Sequence, residues 1–303
     1  MSNSGTPVDE SRESSSFISV STTFYPGANT DSFPTDLIIL SSDAVFFYVH
    51  SRRLVSASEN AFNMNLPQAI EKIDGNPEPI LNLPDSASVM NIVLHTVYGM
   101  SCSHYSPTFS DVAMAIAALK VYGLPLNRFL SPASPLSATL SSFSTVCPLD
   151  LYTLAAAHDL HDLAVTASPH LLSLALPTVT DEIALMMGPV YLKKLFFLHF
   201  GRTDALKRLL LPPPSPHSPT ADCDFVEQKK VTRAWALASA YLTWDARPDM
   251  PTGTIEGALQ PLSEHLACEQ CRTALRGRIQ ELVDQWAAVK VCLHVQFIFW
   301  LEH

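Results

Sequence analysis

The sequence is poor in charged residues and in cysteine. Only 16% of its 303 residues are charged, and 29 acidic residues outnumber 19 basic ones, which gives a net charge of −10. A nucleic-acid-binding protein needs cationic side chains to displace phosphate counterions, so we expect no nucleic-acid partner. Six cysteines are too few for a disulfide scaffold in a chain of this length. These absences favour an intracellular protein, cytoplasmic or nuclear.

Long apolar runs are also lacking. The N-terminal residues have no apolar core that could serve as a signal peptide. The longest apolar stretches, such as residues 291–301, are interrupted and shorter than the ~18–20 residues that a membrane helix needs. We therefore expect no membrane partner. Hydrophobic residues still make up 47% of the chain, which is enough for a sizeable core.

The sequence signatures of common enzymes are absent. Ten glycines occur without a Gly-x-Gly-x-x-Gly pattern or a phosphate-binding loop. Neither a Gly-x-Ser-x-Gly elbow nor a His-Glu-x-x-His helix is present, and the acidic residues are scattered without pairs suited to acid and base roles. We therefore expect a non-enzymatic protein with no catalytic residue, no cofactor and no metal.

Composition and periodicity divide the chain into five segments. Residues 1–32 are rich in Ser and Thr and lack periodicity, which predicts a disordered arm. Residues 33–125 mix strand and helix patterns, whereas residues 126–211 and 223–303 are helical regions with 3.6-residue spacing. Residues 212–222 are rich in proline and form a predicted stiff linker. The expected fold class is α+β: a small three-stranded sheet with helices, followed by an all-α C-terminal region.

The strand patterns lie in residues 33–125. Two β-branched and aromatic runs, at 37–40 and 45–49, flank polar turn residues and favour a hairpin. A helix is predicted from Ser51 to Phe62. A third strand lies between Pro79 and Pro84, and the helix that follows it ends at Gly99, a residue type that commonly ends helices.

Taken in order, these residues resemble a BTB/POZ domain. The matching motifs are the opening strand Asp36-Leu-Ile-Ile-Leu40, the strand end Phe47-Tyr-Val-His50, Leu54 and Ser58 of the next helix, the strand Ile80-Leu-Asn-Leu-Pro-Asp85, the helix end Tyr98-Gly99, and Ala118, Tyr122 and Leu124 of the closing helix. The resemblance covers residues 33–124. With helices following and Ser58-Glu-Asn-Ala-Phe62 in place of the usual Ser-Pro-x-Phe, the chain is similar to the stand-alone BTB proteins common in fungi.

The resemblance implies a protein–protein interaction module. BTB domains self-associate through their first helix and bind other proteins through a helix-rich face, so a homodimeric scaffold or adaptor is expected. Apolar residues of the arm, at 17–20 and 24–25, could pair with a sheet edge. Many members bring substrates to a cullin ubiquitin ligase, which is an alternative function here. The chain departs from the family at the cullin-binding segment, because Asn63-Met-Asn-Leu-Pro67 replaces a hydrophobic-x-Glu pattern and Pro67 would end the helix.

The residues before that proline supply the candidate interaction surface. Phe62 is predicted to be a core anchor on the same helical face as Leu54 and Val55. Met64 and Leu66 are the candidate protein-interaction residues, because the flexible side chain of Met tolerates varied contacts.

The C-terminal region carries one sharp pattern that the resemblance does not cover. Cys268 and Cys271 are three residues apart on a predicted helix, and Cys223 follows the proline-rich segment. Zinc takes four ligands in tetrahedral geometry, so these three with His265 or Cys292 could form a site. Buried free cysteines also behave as small hydrophobes, which is the alternative. A zinc-stabilised helical protein that uses the BTB-like domain only for docking is thus a competing hypothesis.

Two further clusters have ordinary structural interpretations. Leu195, Phe196, Phe197, Leu198 and Phe200 are predicted to pack in a core, because helices bury apolar stripes by default. His158 and His161 are interpreted as solvated turn histidines rather than as a metal-binding pair.

Overall fold

The computed structural model describes residues 19–66 and 79–293. The chain divides into two compact units, which we call unit 1 (Met1–Thr139) and unit 2 (Leu140–His303). The described ranges contain eleven α-helices and one four-stranded sheet, so the predicted α+β class is confirmed. Unit 1 extends beyond the predicted boundary at residue 125, because the short helix Leu126–Phe129 packs against the preceding helix.

The sheet lies in unit 1 and has the strand order β1-β3-β2-β4. Its strands are β1 (Ser19–Val20), β2 (Leu37–Leu40), β3 (Val45–Val49) and β4 (Ile80–Asn82). Strands β2 and β3 form the predicted antiparallel hairpin, β4 pairs with β2 in parallel, and β1 pairs with β3 in parallel. The sheet therefore has one strand more than the three predicted.

The additional strand belongs to the segment predicted to be a disordered arm. Residues 19–32 are ordered: Phe24 is fully buried against the rings of Phe47, His95 and Tyr98. The carboxylate of Asp31 accepts hydrogen bonds from two arginines of the first helix. One aromatic anchor and one ion-pair cluster thus fix a segment whose composition indicates disorder. Residues 1–18 lie outside the described range.

Capping residues set the ends of several helices. The helices are α1 (Ser51–Ala57), α2 (Ala87–Tyr98), α3 (Phe109–Val121), α4 (Leu126–Phe129), α5 (Pro135–Ser142), α6 (Pro148–Ala157), α7 (His161–Ala167), α8 (Asp181–Leu210), α9 (Phe225–Trp244), α10 (Thr252–Leu259) and α11 (Glu269–Ala288). Ser86 caps α2, and Gly99 ends it with a left-handed backbone, as predicted. Helix α3 is capped by Thr108 in a reciprocal pair with Asp111.

In unit 2 the helices pack around two buried tryptophans, Trp235 and Trp286. The predicted helical region over residues 223–303 is interrupted: α10 ends at Leu259, and a 3₁₀ turn containing Pro261 precedes α11. The proline-rich segment after α8 has no helix, as its composition predicts.

Helix α8 is long and apolar enough to cross a membrane by length and composition alone. In its most apolar 18-residue stretch, 28% is buried. Its backbone leaves the helical region at Gly188 (φ 69°, ψ 166°). Leu195 and Leu198 are buried as predicted, whereas Phe197 and Phe200 are 47% and 62% exposed. The predicted core packing is therefore wrong for these two phenylalanines, because neighbouring residues on a helix point in different directions.

Candidate metal centre and candidate interaction surface

The proline-rich segment of unit 2 is anchored at its start by side chains from two later helices. Trp235 of α9 donates its indole N–H to the carbonyl of Leu210 (2.9 Å). Arg278 of α11 donates to the carbonyls of Leu209 (2.6 Å) and Pro212 (3.0 Å). These bonds satisfy carbonyls that the end of α8 would otherwise leave without partners. They direct residues 212–223 toward the first turns of α9 and α11.

A tight turn places Cys223 at the beginning of α9. The backbones of Thr220 and Cys223 exchange two hydrogen bonds, N–H to carbonyl, of 2.9 and 3.3 Å. Asp224 then caps α9 by accepting from the N–H groups of Val226 and Glu227, both at 2.9 Å. Cys223 is consequently 2% exposed and beside the N-terminus of this helix.

Cys268 and Cys271 lie at the N-terminus of α11. Cys268 is the capping residue, and Cys271 is the third residue of the helix, so both thiols are near unpaired backbone N–H groups. The N–H of Cys271 donates to the sulfur of Cys268 and lowers the pKa of that thiol to about 7. Burial raises the pKa of Cys271 to about 12, and burial also raises the pKa of Cys223. Three adjacent thiolates cannot be stable together unless a cation neutralises them.

The fourth member of the cluster is His217, from the proline-rich segment. Its Nε2 lies 3.3 Å from the sulfur atoms of both Cys268 and Cys271. The sulfurs of Cys223 and Cys271 are 3.7 Å apart. All four donor atoms lie within 4.8 Å of one another. They are therefore close enough together to bind a single metal ion.

The structure thus brings together the three cysteines that the sequence indicated, but not with either expected fourth ligand. His265 is exposed in the 3₁₀ turn before α11, and Cys292 is half-buried; neither belongs to the cluster. His217 was missed because the segment around it reads as an inert linker. The sequence does contain a clue to this ligand. His217 and Cys223 are a second pair of metal-ligating residue types, and they precede α9 whereas the Cys-x-x-Cys pair follows it.

In unit 1 the candidate interaction surface follows α1. This helix ends at Ala57, short of the predicted Phe62, and residues 61–64 form a left-handed turn with φ between 52° and 59°. Such a backbone costs a non-glycine residue about 1–2 kcal/mol. The hydroxyl of Ser58 supports the turn: it donates to the carbonyl of Tyr122 (2.6 Å) and accepts from the N–H of Phe62 (2.7 Å).

Phe62 is fully buried, as predicted, and stacks on Tyr122 with ring centroids 4.2 Å apart. Phe62 reaches the core through the left-handed turn, because α1 ends at Ala57. The predicted helical face shared with Val55 is therefore wrong, and Val55 is 56% exposed. Met64 is 69% exposed, whereas Leu66 is 4% exposed. The expectation that Leu66 faces a partner is therefore wrong, because the turn directs this side chain inward.

Searches of the chain against protein-family models, curated proteins and solved structures find no match. The functional interpretation of both sites therefore rests on their geometry and chemistry.

Proposed function

We propose that the protein is a non-enzymatic interaction module, a homo-oligomeric scaffold or adaptor whose unit 1 is a BTB-like domain. The observation that carries this proposal is the path of the chain through unit 1. A hairpin leads directly into α1, a parallel strand β4 follows, and then come α2 and α3, which pack on each other. These are the element types that the resemblance implies, in the same order.

The motif residues also have physical roles at the junctions between these elements. Asp36 of β2 accepts hydrogen bonds from the N–H and hydroxyl of Ser51 and so fixes the start of α1. His50 is 1% exposed; its Nε2 donates to the carbonyl of Phe33 (2.7 Å), and its Nδ1 accepts from the hydroxyl of Tyr98 (2.8 Å). One histidine thus connects the hairpin with the end of α2.

Self-association is assigned to the exposed face of α1. Val55 is an apolar side chain that this face presents to solvent. A twofold interface buries the same patch of both subunits, and apolar side chains at its centre contribute most of the affinity. Met64, at the tip of the left-handed turn, is the proposed contact for a different protein. We favour a scaffold over a cullin adaptor, because residues 61–66 form a turn where the family has its cullin-binding helix.

The mass of the full chain in solution tests this proposal. Light scattering at about 50 µM, a concentration at which a micromolar interface is mostly formed, should give twice the monomer mass of 33.2 kDa. Val55→Glu should give the monomer mass. Val121→Glu is the matched control, since Val121 of α3 is 54% exposed, and it should remain dimeric. A monomeric wild type, or dissociation by Val121→Glu alone, would contradict the proposal.

A test of the partner surface uses Met64. Substitution by Ser should leave the melting temperature unchanged, because the side chain is 69% exposed, and should weaken capture of a partner identified by proximity labelling. Leu66→Ser should instead destabilise unit 1. Capture that is unaffected by Met64→Ser in a dimeric, folded protein would exclude this residue as a contact.

A further inference from the structure

We propose that His217, Cys223, Cys268 and Cys271 bind one structural zinc ion that fastens the proline-rich segment to the first turns of α9 and α11. The donor set is the first argument. Three thiols and one imidazole are the ligands of a Cys₃His site, a common structural zinc site. Soft thiolate ligands in tetrahedral arrangement select zinc over magnesium, calcium or manganese. The inference is independent of the proposed interaction function.

Three of the six donor–donor distances are close to those of a tetrahedral site. A Zn–S distance of about 2.3 Å places two ligating sulfurs about 3.8 Å apart, and a Zn–N distance of about 2.0–2.1 Å places the nitrogen about 3.6 Å from each sulfur. The sulfurs of Cys223 and Cys271 are 3.7 Å apart, and Nε2 of His217 is 3.3 Å from two sulfurs. These three distances differ from the tetrahedral values by about 0.1–0.3 Å, and all four donor atoms lie within 4.8 Å of one another.

The second contact of the histidine fixes its tautomer. Nδ1 of His217 lies 2.7 Å from the backbone carbonyl of Ser218, so Nδ1 carries the proton and donates it. The lone pair of Nε2 then points at the sulfurs. Metal-ligating histidines typically donate their other ring N–H to a carbonyl or carboxylate.

A dithiol redox site is the main alternative for a Cys-x-x-Cys pair at a helix N-terminus, and the surroundings argue against it. A redox pair reacts through one accessible thiol, and Cys268 is partly exposed while Cys271 is 6% exposed. What distinguishes this cluster from a redox pair is therefore its other two members. A redox pair has two sulfurs, whereas here a third sulfur and an imidazole converge on the pair. All the cysteines are free thiols.

Four protein ligands leave no open position for water or substrate, so the zinc has a structural role. Arg278 holds the start of the segment at Pro212, and the metal would hold its end at His217 and Cys223. Val231 is buried with Cys223 and Cys271, and Leu266 packs against this cluster. Metal binding would thus contribute directly to the stability of unit 2, as it does in other small metal sites.

Zinc content tests the proposal. The full chain, expressed in medium with added zinc and purified without chelator or a histidine tag, should carry one zinc per chain by elemental analysis. Cys223→Ser, Cys271→Ser and His217→Ala should each lower that content several-fold. Cys292→Ser and His265→Ala, which alter one cysteine and one histidine outside the cluster, should retain one zinc.

A second measurement decides the case if the ligand variants do not fold. Wild-type protein treated with a strong chelator should release one zinc, and its tryptophan fluorescence melting temperature should fall. Added Co²⁺ should then give the visible absorption of a tetrahedral site and a thiolate-to-cobalt charge-transfer band. A folded wild-type chain that contains no zinc and takes up no Co²⁺ would overturn the proposal, as would stoichiometric iron in place of zinc or equal metal loss in Cys292→Ser.

Discussion

The ends of α2 and α3 in unit 1 and the C-terminal end of α8 in unit 2 are fixed by different means, although α9 of unit 2 also has a local cap at Asp224. In unit 1 the ends of α2 and α3 are set by nearby residues: Ser86 and Thr108 cap the starts, and Gly99 and Gly123 supply left-handed turns at the ends. In unit 2 the end of α8 is held by Trp235 and Arg278, which lie 25 and 69 residues away from their carbonyl partners. Local caps are visible in a sequence, whereas distant ones are not.

The sheet explains part of this difference. In unit 1 paired strands satisfy each other's backbone hydrogen-bonding groups, and local turns satisfy those of the connecting segments. The described part of unit 2 has helices without a sheet, so its helix termini and connecting segments need side chains as partners. Arg202 of α8 illustrates this: it donates to the carbonyls of Pro248, Val289 and Lys290. We expect the two units to respond differently to the loss of single side chains.

The largest effect is expected for Phe62 in unit 1. Sequence patterns assign both Phe62 and Phe200 to a core, but Phe62 is fully buried and Phe200 is 62% exposed. Phe62→Ala should destabilise the protein by about 3–5 kcal/mol, because it leaves a cavity beside Tyr122. Phe200→Ala should change the stability by less than ~0.5 kcal/mol. Urea unfolding followed by far-UV circular dichroism measures both, and equal effects would show that the burial pattern is wrong.

A smaller loss is expected for Arg202 in unit 2. Its side chain is buried among three carbonyls and lies 4.3 Å above the ring of Trp286. Arg202→Met keeps the apolar stem but leaves those carbonyls without a donor, so we expect a loss of about 3 kcal/mol. All four tryptophans of the sequence lie beyond residue 139, so tryptophan fluorescence reports on unit 2 alone.

Arg208→Met is the matched control for this substitution. Arg208 lies on the same helix and pairs with Asp204 at 2.8 Å, but both side chains are more than half exposed. Exposed pairs of this kind contribute about 0.3–0.5 kcal/mol. Arg202→Met with an effect as small as that of Arg208→Met would show that distant side chains do not hold the helix ends of unit 2.

Much of unit 1 could be predicted because its signals are local. The hairpin at 37–40 and 45–49 follows from β-branched runs flanking a polar turn. Two helix ends, one in each unit, share the same local geometry. Gly123 of unit 1 and Asp159 of unit 2 both have a left-handed backbone (φ 69° and 54°). The N–H of the leucine that follows each of them donates to a carbonyl five residues earlier at 2.8 Å. Patterns that depend on a few consecutive residues are therefore reliable here.

The remaining features depend on contacts between distant residues. The left-handed turn at residues 61–64 is stabilised by the Ser58 hydroxyl bound to Tyr122, which is 64 residues away, and no local pattern specifies it. His217 joins a cluster with cysteines that are 51 and 54 residues further along the chain. The cysteine spacing allowed a zinc site as an alternative to the expected absence of metal, with His265 or Cys292 as fourth ligand, and the proximity of His217 depends on the packing of α9 against its neighbours.

An intermediate effect is expected from two glycines of unit 1 with the same backbone. Gly99 and Gly123 both have φ of 69°, so alanine at either position should cost about 1–2 kcal/mol of backbone strain. A Cβ at Gly99 would meet no atom within 4 Å, but at Gly123 it would lie 2.4 Å from the side chain and 2.9 Å from the backbone N of Asn60. Gly123→Ala should therefore be the more destabilising by about 1–2 kcal/mol, because the overlap displaces the turn. Equal melting temperatures for the two variants would contradict the close packing of Asn60 on the end of α3.

The smallest effect is expected for the pH dependence of the free energy of unfolding. Here we expect the two units to change in the same direction. His95 of unit 1 and His199 of unit 2 are both buried, and burial lowers the pKa of each below that of a free histidine. His95 donates from Nδ1 to the carbonyl of Asn91 and faces the ring of His104, whose positive charge would further disfavour protonation. His199 is bonded through Nε2 to the carbonyl of Leu171.

Because the folded-state pKa is lowered in both cases, protons bind more readily to the unfolded chain. The stability that these histidines contribute should be fully present above the unfolded pKa of about 6.5 and should be lost as the pH falls below it. Urea unfolding at pH 7.5 and pH 5.5, with hydrogen exchange of peptides from each unit, should detect the loss in both units of the wild type. His95→Gln should flatten the pH dependence in unit 1 peptides only, and His199→Gln should do so in unit 2 peptides only. Stability that rises toward pH 5.5 would show that these histidines gain a proton on folding, which is the opposite of what their burial predicts.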